Sequence, residues 1–435
     1  MIGLETYERD RTLAAKLGDE HLVVPSDAEC AHLVQEHLVA AAGIGVESVD
    51  CLHARWKPGK SLSATWEVKL SDGNRRVVCT KLHADKSQPK TAGYSRPNDY
   101  TSTAAAPLHP FALAQDGAVT LTCFPADRVL RGGARIMDVR RTARLLDDAQ
   151  IWSPWVVRRR ASELKLLRYK PERRALYRMS VRYKLRGDPA AARDKDVDEV
   201  GGKDRHLAIR VLPAEHWNDM IVVRMKVPIG LGPELVHADS GTASFFEEWL
   251  EGEAFGSVEF QHAEAAGRLL APLHGVKLQR KHSDRDRDSL QLYWARIASV
   301  CEELPELAAA PLLQGGRLIH GDFHPNQFLQ SDHGLRLLDY DELRSGDPEE
   351  DLANWIADAL AHVPDQSFGN ASELLLKGYR SAGGEVVMAR LLECVCFELG
   401  SRAIASVRRL EHGAIKRAQV LLERAALLAQ EATPE

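Results

Sequence analysis

Hydrophobic residues along the chain follow two different periods, and the change from one to the other divides the sequence. In the first half, apolar and polar residues alternate, as in RWKPGKSLSATWEVKL from Arg55 and RYKPERRALYRMSVRYKL from Arg168. This spacing is typical of half-buried β-strands. After about residue 256, apolar residues recur at intervals of three and four, as in GRLLAPLHGVKL and DLANWIADALAHV. We therefore predict an α+β fold with a β-rich N-terminal part and a mainly helical C-terminal part.

The strand-rich half contains an internal repeat. The two segments quoted above both begin with Arg, an aromatic residue, Lys and Pro, and both continue into an alternating strand. Each is followed by a strand that ends in a basic residue, VVCTK at Lys81 and LAIR at Arg210, and then by a turn and another apolar strand. Three matched elements in the same order indicate a duplication.

The segment from Leu318 to Trp355, LIHGDFHPNQFLQSDHGLRLLDYDELRSGDPEEDLANW, carries the candidate chemistry. Asp322 and Asp339 each follow a short apolar run, so loop ends would project both carboxylates toward one cleft. In phosphoryl transfer from a metal-bound nucleotide, one carboxylate accepts the proton of the attacking hydroxyl, and a second carboxylate holds magnesium with an amide. We predict Asp322 as the catalytic base and Asp339 as a metal ligand.

The amide that completes such a metal site is expected five residues after the base. Asn326 lies only four residues after Asp322, whereas Gln327 lies at the fifth position. Both amides carry a carbonyl oxygen suited to a hard cation. We therefore predict Gln327 as the second metal ligand, and Asp341 as a source of a further oxygen.

Three other residues of this segment receive structural rather than chemical predictions. His320 stands at a strand end before glycine, where it is expected to fasten the loop by hydrogen bonds. Asp351 is expected either to cap the helix that begins near Leu352 or to brace the HGD loop. Trp355 is predicted to lie in the core.

The run HGDFHPNQ, followed by LLDYDE and GDPEEDLA, resembles the aminoglycoside phosphotransferase and choline kinase superfamily. The resemblance implies a two-lobed protein-kinase-like fold, ATP and Mg²⁺ as cofactors, and a hydroxyl group of a small molecule as acceptor. Gln327 stands where the family usually carries Asn, which is similar to the maltokinase branch of sugar kinases. We therefore predict a kinase of a sugar or an aminosugar of the aminoglycoside kind.

Each copy of the repeat has the outline of a kinase N-terminal lobe, yet only one copy can serve a single HGD site. The second copy runs directly into FFEEWLEGEAF, which is predicted to be a hinge that contacts adenine through the backbone of Glu248, Trp249 and Leu250. This continuity favours Arg210 as the cation that pairs with phosphate. Lys81, in the first copy, stays the alternative, because a guanidinium and an ammonium group are not interchangeable.

These arguments divide the chain into three predicted units. Residues 1–150 would form an N-terminal cap or a degenerate first copy of the lobe. A degenerate copy would serve as a cap, as an inhibitor or as the surface of a homodimer. Residues 151–255 would form the nucleotide lobe and hinge, and residues 256–435 the helical lobe with the catalytic and metal loops.

Composition agrees with a cytoplasmic enzyme. A net charge of −5 gives no reason to expect nucleic acid or an anionic membrane as a partner. The N-terminus lacks the apolar core of a signal peptide, and no apolar run is long enough to cross a bilayer. A second hypothesis is a pseudokinase that senses nucleotide or acts as a scaffold, favoured by Arg210 and by the absence of a glycine-rich loop.

Overall fold

Each copy of the repeat forms an antiparallel sheet, and the helical part of the chain packs beside them. The structure is a computed structural model that describes residues 8–85, 105–185, 204–255, 262–279, 287–363 and 365–431. The elements below lie within these ranges.

The first sheet follows two short helices, α1 (Leu13–Lys16) and α2 (Asp27–His37). Its strands are β1 (Val46–Lys57), β2 (Ser61–Leu70), β3 (Arg75–His83), β4 (Phe111–Ala114) and β5 (Val119–Cys123), joined in the order β1-β2-β3-β5-β4. The alternation read from the sequence is the alternation of burial. In β2 the core positions are Leu62, Ala64, Trp66, Val68 and Leu70.

The second sheet repeats this strand order. Its strands are β6 (Trp155–Val157), β7 (Glu163–Lys170), β8 (Arg174–Leu185), β9 (Asp204–Val211), β10 (Leu235–Asp239) and β11 (Ser244–Glu248). The order β7-β8-β9-β11-β10 matches that of the first sheet strand for strand, and β6 pairs with the far end of β8. Helix α5 (Ala214–Arg224) connects β9 to β10.

The pairing register also repeats, which confirms the duplication of the β-rich lobe. Lys81 lies opposite Ser63 on β2 and Thr120 on β5. Arg210 lies opposite the corresponding residues, Leu176 on β8 and Phe245 on β11. The two cations predicted as alternatives therefore occupy the same place in two copies of one sheet.

Two helices connect the sheets, α3 (Gly133–Met137) and α4 (Val139–Asp148). Leu146 and Ala143 of α4 belong to a core that also contains Tyr177 and Met179 of β8. Asp138 caps α4, its carboxylate accepting hydrogen bonds from the backbone N–H groups of the first turn.

The C-terminal part is mainly helical, as predicted. Its helices are α6 (Ala263–Gly275), α7 (Arg287–Ala298), α8 (Pro348–His362), α9 (Phe368–Ser381), α10 (Met388–Arg408) and α11 (Ala414–Glu431). Between α7 and α8 lie short strands that carry the HGD and DYD segments. They are β13 (Arg317–Ile319), β14 (Phe328–Ser331), β15 (Gly334–Leu337) and β16 (Arg344–Gly346), and β14 also pairs with β12 (Glu253–Ala254).

The start of α8 corrects one alternative and supports the other. The helix is capped by Asp347, which forms a capping box with Glu350, and Pro348 occupies the first turn. Asp351 is therefore inside the helix, so the prediction that it caps the helix is wrong. Its carboxylate braces the HGD loop instead. Trp355 is fully buried, as predicted.

All seven cysteines are free thiols. Within the described ranges, none of the helices combines the length and the apolar character that crossing a membrane requires.

Candidate active site

The HGD loop follows β13, and one buried carboxylate, that of Asp351, binds its backbone. Asp351 accepts hydrogen bonds from the backbone N–H of His320 (2.6 Å) and of Gly321 (2.7 Å). Nε2 of His274 lies 3.1 Å from the same carboxylate. His320 donates from Nε2 to the carbonyl of Leu338 (2.8 Å), so it fastens the loop as predicted.

Gly321 is required by this geometry. Its φ is +82°, a region that favours glycine. A Cβ atom there would lie 2.3 Å from the carbonyl oxygen of Glu342. The chain therefore turns sharply and presents the next residue, Asp322, to the cleft.

Asp322 sits between an amide and an imidazole. Nε2 of Gln327 donates to its Oδ2 (3.1 Å), and Nε2 of His324 lies 3.7 Å from its Oδ1. The Asp322 side chain is still 45% exposed, so a hydroxyl group can reach it. Enclosure by the protein would raise the pKa of Asp322, but the close approach and charge of His324 hold it well below its usual range. The carboxylate is therefore ionised, as a base must be.

The same contact acts on the imidazole in the opposite direction. Burial would lower the pKa of His324, yet the close approach and charge of Asp322 outweigh burial and raise the pKa above its ordinary value. His324 was not singled out by the sequence, although it lies inside the HGDFH motif.

Asp339 adopts a left-handed conformation (φ +59°) at the end of β15. It is clamped by two arginines of the second sheet. Arg174 donates to both of its oxygens, at 2.8 and 3.0 Å, and Arg210 donates to Oδ1 at 2.6 Å. Asp341 accepts from the same pair, with Arg210 at 2.7 Å. Burial would raise the pKa of Asp339, but Arg210 and Arg174 hold it well below its usual range.

A second ion-pair network lies next to Arg210. It differs from the ion pair of protein kinases, in which a strand supplies the lysine and a helix supplies the glutamate. Glu247 on β11 contacts Nε of Arg210 at 3.3 Å and Nε of Arg224 at 2.8 Å. Helix α5 thus supplies an arginine, Arg224, while the glutamate comes from a strand. Arg224 also lies over the ring of Tyr340, 4.7 Å from its centroid. These contacts join α5 and β11 to the loop that carries Asp339.

The structure separates the two candidate phosphate-pairing cations. Lys81 contacts Glu172 at 3.1 Å, in the turn between β7 and β8, and Arg128 contacts the same carboxylate at 2.7 Å. Glu172 has φ +58° and occupies the place that Gly59 holds in the first copy. The structure thus brings Arg210 to Asp339, and it uses Lys81 to hold the hairpin of the other copy.

The predicted hinge follows β11 as the sequence indicated. The backbone N–H of Glu248 donates to the carbonyl of Glu234 (2.9 Å), and that of Trp249 donates to His206 (3.1 Å). Both N–H groups are therefore engaged within the sheet. An adenine base would have to use the carbonyl oxygens of this segment or the N–H of Leu250.

The residues predicted to hold magnesium are partly assembled. Gln327 uses its amide nitrogen toward Asp322, which leaves its carbonyl oxygen for a cation. Within the described ranges, no group of three or more His, Cys, Asp and Glu side chains is gathered as a metal site. Gln327, Asp339 and Asp341 would supply oxygen atoms, the ligand type that suits a hard cation. The arginines that neutralise these carboxylates are residues suited to phosphate.

His324, Asp358 of α8 and Arg402 of α10 lie close together and form a group that we call the polar wall. Nη1 of Arg402 contacts Oδ1 of Asp358 at 2.7 Å, and Arg402 also donates to the carbonyl of Asn354. Three buried atoms of this wall have no hydrogen-bond partner among the described residues: Nδ1 of His324, Oδ2 of Asp358 and Nε of Arg402. Neither Asp358 nor Arg402 was selected from the sequence, because charged residues are common on helix faces.

Comparisons with known proteins place this arrangement in a family. Residues 140–390 match the sequence model of the phosphotransferase enzyme family. No curated protein matches the chain.

Similar solved structures include three kinases. Choline kinase from Cryptosporidium parvum Iowa II is 14% identical over 62% of this chain and 89% of its own, with a TM-score of 0.42. Choline kinase LicA from Streptococcus pneumoniae is 13% identical over 66% and 98%, with a TM-score of 0.38, and another LicA structure contains AMP. Aminoglycoside phosphotransferase from Alicyclobacillus acidocaldarius is 15% identical over 52% and 87%, with a TM-score of 0.35.

The matched family segment spans more than half of the chain and contains the HGD loop, both arginines and the DYD loop. The family assignment rests on this match. The chain belongs to the phosphotransferase enzyme family, and its α+β fold combines two antiparallel sheets with a mainly helical C-terminal part.

Proposed function

We propose that the protein transfers the terminal phosphoryl group of ATP, in the presence of Mg²⁺, to a hydroxyl group of a sugar. The observation that carries this proposal is the state of Asp322: ionised, held by Gln327 and His324, and open to the cleft. The acceptor oxygen would attack the phosphorus atom, ADP would leave, and Asp322 would take the hydroxyl proton.

The second sheet would serve the nucleotide. Arg174 and Arg210 point from β8 and β9 to the carboxylates of the DYD loop, within reach of any phosphate held there. When MgATP binds, its phosphates would receive these guanidinium groups and the cation would take the carboxylate oxygens. Neutralising the charge that develops on the phosphoryl group is the main catalytic task in such reactions.

The polar wall supports a hydroxylated acceptor. The unpartnered atoms of Asp358 and Arg402 are a buried acceptor and a buried donor, and hydroxyl groups would satisfy both if these side chains turned toward a bound acceptor. A quaternary ammonium acceptor would instead need an exposed aromatic face. In the part of the chain that the structure describes, the aromatic side chains beside the HGD loop include Phe323, Phe328, Tyr340 and Trp355, and all four are buried. A sugar, as in the maltokinase-like branch, therefore fits this wall better than choline.

The test is nucleotide turnover against a panel of sugars, aminosugars, aminoglycosides and choline, with Asp322→Asn beside the wild type. Removal of a general base should lower kcat by about 10²–10⁴-fold. Asp332→Asn is the matched control, because Asp332 is an exposed aspartate in the turn between β14 and β15. An Asp322→Asn variant as active as this control would refute the mechanism.

The pseudokinase hypothesis has one observation in its favour, the pairing of Asp339 and Asp341 with two arginines. It predicts that MgATP stabilises the protein against heat without turnover on any acceptor. Turnover on one member of the panel would exclude it.

A further inference from the structure

A set of basic side chains gathers where the first sheet, the second sheet and helix α10 meet. We call it the cationic cluster, and its members are His53 and Arg55 of β1, Arg168 and Lys170 of β7, Arg173 of the β7–β8 turn, and Arg408 of α10. None of the six is fully buried, so solvent reaches the cluster.

The duplication explains how these residues meet. Strands β1 and β7 are equivalent strands of the two copies, and Arg55 and Arg168 occupy equivalent positions in them. Residues two apart on a strand share a face, so His53 lies beside Arg55, and Lys170 beside Arg168. The charges of Lys170 and Arg168 act on His53, and those of Arg173 and Arg408 act on Arg55.

Two contacts hold the first sheet in place, one to the second sheet and one to helix α7. The Lys81–Glu172 ion pair (3.1 Å) joins the first sheet to the hairpin that carries Arg173. The ring of Trp56, the neighbour of Arg55, packs edge-on against Tyr293 of α7 with ring centroids 5.5 Å apart. The arrangement therefore rests on residues outside the cationic cluster.

The cluster lacks negative charge. Within the described part of the chain, Arg173 contacts the half-exposed Glu342 at 3.8 Å, and the other five members have no carboxylate within salt-bridge distance. The neighbouring carboxylates of Asp339 and Asp341 are already paired with Arg174 and Arg210.

One atom of the cluster is also without a partner. Nε of Arg55 is buried and receives no hydrogen-bond acceptor from the described residues. A buried guanidinium N–H that lacks an acceptor is costly unless a ligand supplies one.

Like charges crowd the cluster and lower the pKa values of two of its members. Burial, together with the charges of Arg174 and Arg168, lowers the pKa of Lys170 to about 7. Burial and the charges of Arg173 and Arg408 lower the pKa of Arg55 to about 10. A protein surface without a ligand would gain by spacing such groups apart or by pairing them.

We propose that the cationic cluster binds a phosphate or carboxylate group of the acceptor, so that the kinase acts on a phosphorylated or acidic sugar. This rests on the proposed function for the role of the ligand as acceptor. Arg168 is the member of the cluster on which the charges of Asp339, Asp341 and Asp322 act, and the ligand that we propose would extend from this side of the cluster to Asp322. The nucleotide phosphates have Arg174 and Arg210, whereas His53, Arg55 and Arg408 come from outside the nucleotide lobe.

The first experiment measures anion binding without turnover. Thermal unfolding of the full chain is followed while inorganic phosphate replaces chloride at constant ionic strength. Phosphate should stabilise the wild type, and Arg55→Gln should weaken its binding by about 10- to 100-fold, the loss expected for one charge-assisted hydrogen bond. Arg55→Lys, which keeps the charge, should retain more affinity than Arg55→Gln.

The matched control is Arg75→Gln. Arg75 lies on β3 of the same sheet, is 63% exposed and pairs with Glu67. The Arg75→Gln variant should bind phosphate as tightly as the wild type does. Equal binding by wild type and Arg55→Gln, or no advantage of phosphate over chloride in the wild type, would overturn the proposal.

The second experiment separates the acceptor from the nucleotide as the source of the anion. Each sugar is assayed beside its phosphate ester and its acid, as with glucose, glucose 6-phosphate and gluconate. Arg55→Gln should raise KM for the anionic acceptor about 10- to 100-fold and change KM for ATP less than twofold. A rise confined to KM for ATP, or a higher kcat/KM for the neutral sugars than for their anionic forms, would refute the acceptor role.

Failure of the proposed function is distinguishable from failure of this inference. Asp322→Asn should bind phosphate as well as the wild type does, because Asp322 is not a member of the cluster. If Asp322→Asn stays active while phosphate binding still depends on Arg55, the mechanism is wrong and the anion site stands.

Discussion

Replacing Glu247 by glutamine should destabilise the fold by about 3–5 kcal/mol, the usual cost of removing one partner from a buried ion pair. Glu247 is 2% exposed and lies between two guanidinium groups, 3.3 Å from Nε of Arg210 and 2.8 Å from Nε of Arg224. Glutamine keeps the volume of the side chain and removes its charge. Arg224, itself 5% exposed, would keep a backbone carbonyl and the ring of Tyr340 as partners.

The measurement is urea unfolding followed by tryptophan fluorescence, with the free energy of unfolding extrapolated to water. The expected loss corresponds to roughly two to three and a half powers of ten in the folding equilibrium. Glu163→Gln is the control, because Glu163 is an exposed glutamate at the start of β7 in the same sheet.

A loss below about 1 kcal/mol, the size typical of exposed ion pairs, would refute the reasoning. It would show that the two arginines are satisfied without the carboxylate. A second measurement tests the coupling. Arg224→Met combined with Glu247→Gln should cost less than the sum of the two single changes, because the double variant leaves fewer buried charges unpaired.

Three further predictions concern the loop, the two cations and the cluster. Gly334→Ala should lower the free energy of unfolding in the same urea assay by about 1–3 kcal/mol, because φ is +92° and the new Cβ atom would point into open space. Gly321→Ala should lower it by more, because the strain of φ +82° is joined by a contact of 2.3 Å between the new Cβ atom and a carbonyl oxygen. In steady-state kinetics, Arg210→Met should lower kcat/KM for ATP by at least about 10²-fold and Lys81→Met by less than about tenfold, because Arg210 contacts Asp339 and Lys81 contacts Glu172 instead. A larger loss from Lys81→Met would assign the phosphates to the first copy of the sheet. The pKa of Lys170 is about 7 in the folded chain, below its value in the unfolded chain. The unfolded state therefore binds more protons above pH 7, and the free energy of unfolding should rise with pH from about 7 to 10. Lys170→Met should flatten that rise when unfolding is measured across this pH range, and an unchanged slope would contradict the shift.

Much of the site could be predicted because its parts are close in sequence. Asp322, Gln327 and Asp339 lie within a short stretch whose apolar runs become β13, β14 and β15. Local strand and turn patterns fix how such residues are presented, so motif spacing carried the argument. Their catalytic and metal roles stay predictions until they are measured.

The choice between Lys81 and Arg210 depended on contacts that no local pattern encodes. The two residues are equivalent in their sheets, and only the packing of each sheet against the helical part decides which one meets Asp339. The alternative roles of Asp351 had the same difficulty. Asp is common both at helix starts and inside the first turn, and Asp347 took the cap because Pro348 suits the first helical position.

The cationic cluster could not be predicted from the sequence, for a different reason. Basic residues on edge strands are ordinary solvent-facing residues, and β1 and β7 are more than a hundred positions apart. Their meeting is a consequence of how two copies of one sheet are arranged.

The packing of Trp56 against Tyr293 has a practical consequence for anyone who wishes to shorten this protein. Trp56 and Tyr293 belong to one continuous core that also contains Leu17 of the N-terminal segment and Leu422 of the last helix. A truncated chain that starts at residue 151 would expose the apolar wall on α7 that this core now covers. Such a fragment should aggregate rather than act as an unregulated kinase, and the role of the first copy is better studied by point substitution than by deletion.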